Sequence, residues 1–178
     1  GYGSFTGSVS ASMLKESGAK YVILGHSENR REGENNILIK KKIKSAIKEK
    51  LKIIFCIGET LSEKRKGKTL LVLKKQIKDS LDKNIDPTKI IFAYEPVWSI
   101  GTNKIPKTKD IVKAIRFIKK EARKLFEKKI DLRVLYGGSV KDKNIRLFSS
   151  INEIDGFLIG GASQSSKKFI DIIRNYYK

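Results

Sequence analysis

The feature that most restricts the fold of this chain is a regular alternation of short apolar runs with longer lysine-rich segments. The apolar runs, rich in β-branched and aromatic residues, are 21–24, 53–57, 90–94, 132–136 and 156–159. The lysine-rich segments with helical spacing are 36–50, 69–83, 108–128 and 141–149, and an opening segment 10–17 and a final segment 165–177 are also predicted to be helices. Near-continuous apolar strands separated by helices are typical of parallel sheets covered on both faces. We therefore predict an α/β fold of about five βα units after one leading helix.

Small or chemically useful residues follow every predicted strand. They lie at 25–28, 58–59, 95–98, 137–139 and 160–163. An open doubly wound sheet concentrates its ligand contacts at one switch point, whereas a β/α barrel builds its site from all the loops at the C-terminal ends of the strands. The pattern favours a barrel. No linker or shift in composition divides residues 1–178, which predicts a single domain.

The formal net charge of +20 allows two interpretations. One is nucleic-acid binding, since such a field attracts phosphates without regard to sequence. The other is a compositional bias that places lysine on every exposed helical surface. The chain has 31 Lys and 8 Arg, and the lysines are spread over all the helical segments. Because phosphate recognition favours clustered arginine, we prefer the second interpretation, with attraction of an anionic substrate left open.

The remaining composition predicts a cytoplasmic protein. No apolar run approaches the ~20 residues that a membrane span needs, and the first residues lack the pattern of a signal peptide. Cys56 is the only cysteine, so no intrachain disulfide and no cysteine-rich metal site is expected. A single free thiol fits a reducing compartment.

Two residues at predicted strand ends have the chemistry of an acid–base pair. His26 is the only histidine, and it lies at the start of a helix, where free N–H groups keep an imidazole neutral. Glu95 follows a buried strand, where a carboxylate is costly unless it is paired or used as a general base. The alternative for His26 is a structural role, which is commoner for a lone histidine. The alternative for Glu95 is a buried salt bridge or a helix cap.

Three loops have the composition of substrate contacts. Residues 98–104 form a short glycine-containing loop that is either a mobile lid or an ordinary connection. Gly137-Gly138 and Gly160-Gly161 follow the last two predicted strands, where barrels often bind phosphate. Glycine lets backbone N–H groups approach an anion, although turns alone also require glycine.

Read in order, these segments resemble the triosephosphate isomerase family from end to end. The motifs that carry the resemblance are Phe5-Thr6-Gly7 with Val9-Ser10, Gly25-His26-Ser27-Glu28, Cys56-Ile57-Gly58-Glu59, Tyr94-Glu95-Pro96-Val97-Trp98, Ile100-Gly101-Thr102, Tyr136-Gly137-Gly138-Ser139-Val140 and residues 155–163. Seven motifs in one order at barrel spacing are highly specific. The resemblance implies a TIM (β/α)8 barrel that interconverts dihydroxyacetone phosphate and glyceraldehyde 3-phosphate.

The resemblance also implies the site residues. Glu95 would be the base that moves the proton, His26 the neutral electrophile, and Glu28 an acidic residue beside it. Backbone N–H groups for the substrate phosphate would come from Gly101, Ser139, Gly160 and Gly161. The closing lid would comprise Val97, Trp98, Ser99, Ile100, Gly101, Thr102, Asn103 and Lys104, received by Tyr136 and Ser139. Cys56 and Glu59 would be structural, with Glu59 near the Trp98 hinge.

The family further implies that no metal and no organic cofactor takes part, that the substrate is a phosphorylated triose, and that the chain forms a homodimer through the loop 5–7. Two residues depart from the family's usual pattern. Ser99 stands where Ala is usual, and Asn103 stands where Gly is usual.

The chain also starts inside the Phe-Thr-Gly loop, so we expect a barrel shortened by about three strands, without the family's N-terminal Asn and Lys, either as a fragment of a complete enzyme or as a shortened protein. The exposed edges of a shortened sheet would be covered by another copy. Three functions therefore stay open: the isomerase, a weakly active or inactive scaffold, and another phosphate-binding barrel. Residues 94–102 disfavour the third.

Overall fold

The computed structural model describes residues 3–4, 6–102, 104–128 and 130–177, so Phe5 and Asn103 of the motifs above lie outside the described residues. The five predicted strands are confirmed, and they form one parallel sheet. The strands are β1 (Tyr21–Leu24), β2 (Lys52–Ile57), β3 (Ile90–Tyr94), β4 (Val134–Tyr136) and β5 (Gly156–Phe157). The α-helices are α1 (Ala11–Glu16), α2 (Ser27–Arg31), α3 (Asn36–Lys48), α4 (Leu61–Arg65), α5 (Thr69–Ser80), α6 (Thr108–Phe126) and α7 (Ser166–Tyr176).

The order of strands in the sheet decides between the two α/β architectures. The order is β1-β2-β3-β4-β5, so each strand is hydrogen-bonded to the strand next in the sequence. A doubly wound sheet would contain a jump in this order at its switch point. The expectation of a β/α barrel arrangement is therefore confirmed over the described strands. All five C-terminal strand ends lie at one edge, where the loops meet.

The core lies between the sheet and the helices. Phe55 and Phe92 on neighbouring strands are fully buried, with ring centroids 5.9 Å apart. The long helix α6 buries the stripe predicted from its spacing, which consists of Ile111, Ala114, Ile115, Ile118 and Ala122. Burying each large apolar side chain is worth about 1.5–3 kcal/mol, and this layer fixes where the strand ends point.

Some predicted elements are shorter than expected. The helix predicted at 141–149 is wrong, since only Ile145–Phe148 forms a short 3-10 helix. Its first turn is replaced by side-chain bonds, because Asn144 accepts from the N–H of Lys141 at 2.8 Å and donates to the carbonyl of Ser139 at 3.0 Å. Asparagine competes with helical hydrogen bonds in this way. The strands predicted at 132–136 and 156–159 also shrink, to β4 and β5.

The two outer strands have one hydrogen-bonded neighbour each among the described residues, so the described sheet is open. On β1, Tyr21 and Ile23 are 45% and 46% exposed. In the part of the chain that the structure describes, no helix is long and apolar enough to cross a membrane.

Candidate active site

His26 is placed by a sharp turn at the end of β1. Gly25 adopts a φ of +75°, and a Cβ there would lie 2.9 Å from the carbonyl oxygen of Cys56 on β2. The chain therefore needs glycine for both its conformation and its close approach to the next strand. His26 follows as the N-cap residue of α2, and its Nδ1 accepts the N–H of Glu28 at 3.4 Å. In the neutral imidazole this leaves the proton on Nε2.

Arg30 braces this turn from the other side. Its guanidinium donates to the carbonyl of Gly25 at 2.7 Å, to the carbonyl of Cys56 at 3.2 Å and to Asn36 at 2.8 Å. Burial lowers the pKa of Arg30, and the nearby Glu34 carboxylate partly opposes that shift. No role for Arg30 follows from the sequence, because its partners are backbone carbonyls that only the fold brings together.

Glu95 lies directly after β3 and meets the imidazole. Its Oε1 is 3.1 Å from Nε2 of His26, and its Oε2 accepts the N–H of Ser27 at 3.2 Å. The residue is only 2% exposed. Burial raises the pKa of the Glu95 carboxyl above its ordinary value, while His26 and the N–H of Ser27 oppose the rise. The result is a buried carboxylate that is more basic than usual.

The backbone of Glu95 is held as firmly as its side chain. Its N–H donates to the carbonyl of Ile57 at 2.8 Å. A Cβ on Gly58 would lie 1.7 Å from the carbonyl oxygen of Glu95, so the two strand ends touch through glycine. The side chain of Gln76 closes the same corner, because it accepts the N–H of Gly58 at 2.9 Å and donates to its carbonyl at 3.1 Å.

Glu28 occupies a different environment from the other two predicted catalytic residues. Its carboxylate is 3.7 Å from Nδ1 of His26, and its side chain is 71% exposed. Among the described residues that line the cavity in front of Glu95, Glu28 is absent. Glu28 therefore lies near Nδ1 of His26, whereas Glu95 lies near Nε2.

A cavity of about 720 Å³ opens in front of the His26–Glu95 pair. This volume is in the range of small-molecule sites. All four residues predicted to bind phosphate line it, namely Gly101, Ser139, Gly160 and Gly161. The structure thus brings the candidate base, the imidazole and the three glycine-containing loops to one site.

Three lysines at the rim of this cavity escape prediction from the sequence. Lys141, Lys143 and Lys168 line it together with the glycine-rich loops. Nothing in the sequence separates them from the other lysines, because lysine recurs in all the polar segments of the chain. Only the fold shows that these three, in the loop after β4 and at the start of α7, line the cavity.

The predicted lid begins with a short 3-10 turn, Val97–Ser99. Glu59 lies beside the Trp98 hinge as expected, since its carboxylate accepts the indole N–H at 2.8 Å and the hydroxyl of Tyr94 at 3.2 Å. Beyond the turn, Ile100 and Gly101 line the cavity. The predicted lid segment therefore starts from an anchored aromatic residue, and two of its residues line the same cavity as the candidate base.

The residues expected to receive the lid lie against it. Tyr136 is fully buried, and its hydroxyl is 3.4 Å from Oγ of Ser99. Burial raises the pKa of Tyr136 to about 12. The N–H of Ser139 donates to the same Oγ at 3.4 Å.

No group of three or more His, Cys, Asp or Glu side chains suited to a metal ion occurs among the described residues.

Comparison with known proteins identifies the family. The family model for triosephosphate isomerase matches residues 1–176. The triosephosphate isomerase of Thermodesulfovibrio yellowstonii is 43% identical over 174 residues, which cover 97% of this chain and 71% of that protein. The corresponding protein of Mycoplasmopsis pulmonis is 45% identical over 172 residues, covering 96% of this chain and 66% of that protein.

A solved structure agrees with these relatives. The crystal structure of triosephosphate isomerase from Bartonella henselae superposes with a TM-score of 0.89 at 38% identity, covering 99% of this chain and 72% of that one. The TIM-barrel fold expected from the sequence is thus confirmed for the strands present. On the family match and on these relatives, the chain belongs to the triosephosphate isomerase family.

Proposed function

We propose that this chain interconverts dihydroxyacetone phosphate and glyceraldehyde 3-phosphate by moving a proton between adjacent carbons. The observation that carries the proposal is the pair formed by Glu95 and His26, whose carboxylate oxygen and Nε2 are 3.1 Å apart. Both groups face a cavity lined by the glycine-containing loops. A base and a hydrogen-bond donor this close can act on one hydroxy-carbonyl unit.

Glu95 is the proposed base. Its carboxylate takes a proton from the carbon next to the substrate carbonyl, which forms an enediolate, and the same carboxyl returns the proton to the neighbouring carbon. No atom is gained or lost, as an isomerisation requires. Burial supports this role, because it raises the pKa of the Glu95 carboxyl and so strengthens it as a base.

His26 is the proposed electrophile. Since Nδ1 accepts the N–H of Glu28, the neutral ring presents its Nε2–H to the cavity side, where Glu95 lies. In the complex, this N–H would donate to the substrate oxygen on which negative charge develops. A preorganised donor at that position stabilises the enediolate without reorganisation of solvent.

The substrate phosphate is proposed to bind where the glycine-containing loops line the cavity. Gly101, Ser139, Gly160 and Gly161 belong to that lining, and Gly161 begins a short 3-10 helix whose first N–H groups have no partner within the helix. The exposed lysines at the rim, Lys141, Lys143 and Lys168, add positive charge there. Together they form an environment suited to a dianionic phosphate.

A coupled isomerase assay tests the proposal with Glu95→Gln, which removes the base and keeps the shape of the side chain. We expect kcat to fall by about 10² or more, a typical effect of losing a general base. Glu16→Gln is the matched control, because Glu16 is an exposed carboxylate at the end of α1. Equal rates for the wild type and Glu95→Gln would refute catalysis by this base.

Assembly and location follow the family as further proposals. We infer a cytoplasmic homodimer formed by one domain per chain, with the loop that contains Thr6 and Gly7 at the interface. The exposed apolar side chains near that loop support an interface, since Val9 and Met13 are 64% and 54% exposed. Light scattering that shows a stable monomer at micromolar concentration would exclude the dimer.

A further inference from the structure

Ser99 is a fully buried polar residue at the start of the lid, at 0% exposure. It is the last residue of the 3-10 turn Val97–Ser99, and it stands where the family resemblance leads one to expect alanine. A buried hydroxyl is costly unless it forms hydrogen bonds. The partners of this hydroxyl therefore indicate what it does.

The Ser99 hydroxyl joins three parts of the site. It donates to the carbonyl of Lys104 at 2.6 Å, which closes the lid segment from its first turn to its far end. Its oxygen also lies 3.4 Å from the hydroxyl of Tyr136, and it accepts the N–H of Ser139 at 3.4 Å.

The direction of each hydrogen bond in this cluster follows from the available protons and lone pairs. A serine hydroxyl has one proton and two lone pairs, and the Lys104 carbonyl can only accept. The Ser99 proton is thus committed to Lys104, so the hydroxyl of Tyr136 donates to Ser99. Among the described residues, Ser99 is the one hydrogen-bond partner of the Tyr136 hydroxyl.

The cluster is also tightly packed. A Cβ on Gly138 would lie 2.1 Å from the Tyr136 hydroxyl and 3.0 Å from Oγ of Ser99. The loop after β4 therefore presses directly on the two hydroxyl groups, and little room remains for a water molecule to replace either of them.

We propose that Ser99 is a positioning residue, whose hydroxyl ties both ends of the lid to the Tyr136–Ser139 loop and so sets the lid over Glu95. The inference rests on the proposed function for its catalytic consequence. Ile100 and Gly101 lie between the two tied ends and line the cavity, so fixing the ends restrains these two residues. The N–H of Ser139 that donates to Ser99 is also the N–H proposed for the substrate phosphate, so Ser99 and the phosphate would compete for one donor, which links the lid to the phosphate site.

The first test is kinetic and uses Ser99→Ala, which removes only the hydroxyl. We expect kcat/KM per folded molecule to fall about tenfold, mainly through kcat, because one short hydrogen bond is lost and a buried tyrosine hydroxyl is left without a partner. If Ser99 merely filled space, Ser99→Ala would lower the thermal midpoint at most and leave kcat per folded molecule unchanged. That result would overturn the proposal.

A second arm measures coupling between the hydroxyl groups. Tyr136→Phe keeps the bond from Ser99 to Lys104, so it should have a smaller effect than Ser99→Ala. The double variant should be at least as active as Ser99→Ala, because removing both partners leaves no orphaned hydroxyl. Effects that multiply as for independent sites would contradict a shared cluster.

A third experiment does not depend on catalytic activity. Hydrogen exchange of the ligand-free protein reports on the amides of Ile100 and Thr102, which bond within the lid turn to the carbonyls of Val97 and Ser99. We expect about tenfold faster exchange in Ser99→Ala. Unchanged exchange in Ser99→Ala would overturn the positioning role. If exchange is faster in Ser99→Ala but the wild type has no isomerase activity, the result counts only against the proposed isomerase.

Discussion

Trp98 offers a quantitative test of how the start of the proposed lid is anchored. Its indole N–H donates to Glu59 at 2.8 Å, and the ammonium of Lys64 lies 3.7 Å from the centre of its ring. Glu59 is 1% exposed, so its carboxylate depends on protein partners. Replacing Trp98 with Phe keeps an aromatic ring at the hinge and removes the N–H.

The size of the effect follows from these contacts. A hydrogen bond to a buried charged group is worth about 1.5–3 kcal/mol, so we expect the free energy of unfolding of Trp98→Phe to fall by about 2 kcal/mol. At the entropy of unfolding of a domain of this size, this corresponds to a fall in Tm of about 4–8 °C. Lys64→Met is the comparison, because it keeps the indole N–H and removes the cation over the ring, worth about 0.5–1 kcal/mol, together with the exposed ion pair to Asp110.

The pH dependence of this penalty is the sharper part of the test. Burial raises the pKa of Glu59, and the Trp98 N–H opposes the rise by stabilising the ionised form. Without the N–H, the folded-state pKa of Glu59 rises further above its unfolded value. The penalty of Trp98→Phe should therefore be largest at neutral pH and shrink as the pH falls through these raised values. Urea unfolding followed by circular dichroism at pH 7 and near pH 4 measures it. An equal penalty at both pH values would refute the charged hydrogen bond.

Three further predictions concern the catalytic edge and the core. The acid limb of the kcat/KM profile should lie above the ordinary glutamate pKa of 4.5, because burial raises the pKa of Glu95; a limb at or below 4.5 would contradict this assignment. Gly58→Ala should destabilise the fold and reduce activity, since its Cβ would lie 1.7 Å from the carbonyl of Glu95; wild-type Tm and kcat would exclude that contact. Phe92→Ala should lower the free energy of unfolding by about 3–5 kcal/mol by opening a cavity in the core, as urea titration would show.

Much of the fold follows from periodicity alone. The strands are apolar because both faces of the sheet are covered, and the stripe on α6 repeats at helical spacing. The order of strands follows from short connections between neighbouring parallel strands. The failure at 141–149 has a local cause: the side chain of Asn144 bonds to the backbone of Ser139 and Lys141, which replaces the first helical turn and leaves a short 3-10 helix.

The site is predictable where a residue stands at a strand end and much less so where contacts are made across loops. The sequence predicts that His26 and Glu95 act together, and in the structure Nε2 of His26 lies 3.1 Å from Oε1 of Glu95. The lysines at the rim could not be selected, because exposed lysines look alike in the sequence. The contacts of Ser99 also could not be predicted from the sequence, since its three partners come from the far end of the proposed lid, from the end of β4 and from the loop after it.

The proposed proton transfer by Glu95 can be tested directly by following dihydroxyacetone phosphate in D₂O by proton NMR. A carboxyl that holds the transferred proton exchanges it with solvent, so the wild type should form glyceraldehyde 3-phosphate that carries deuterium on the carbon next to the aldehyde. Glu95→Gln should show neither isomerisation nor deuterium incorporation above the uncatalysed rate. Deuterium incorporation at the wild-type rate in Glu95→Gln would contradict the assignment of this carboxylate as the base.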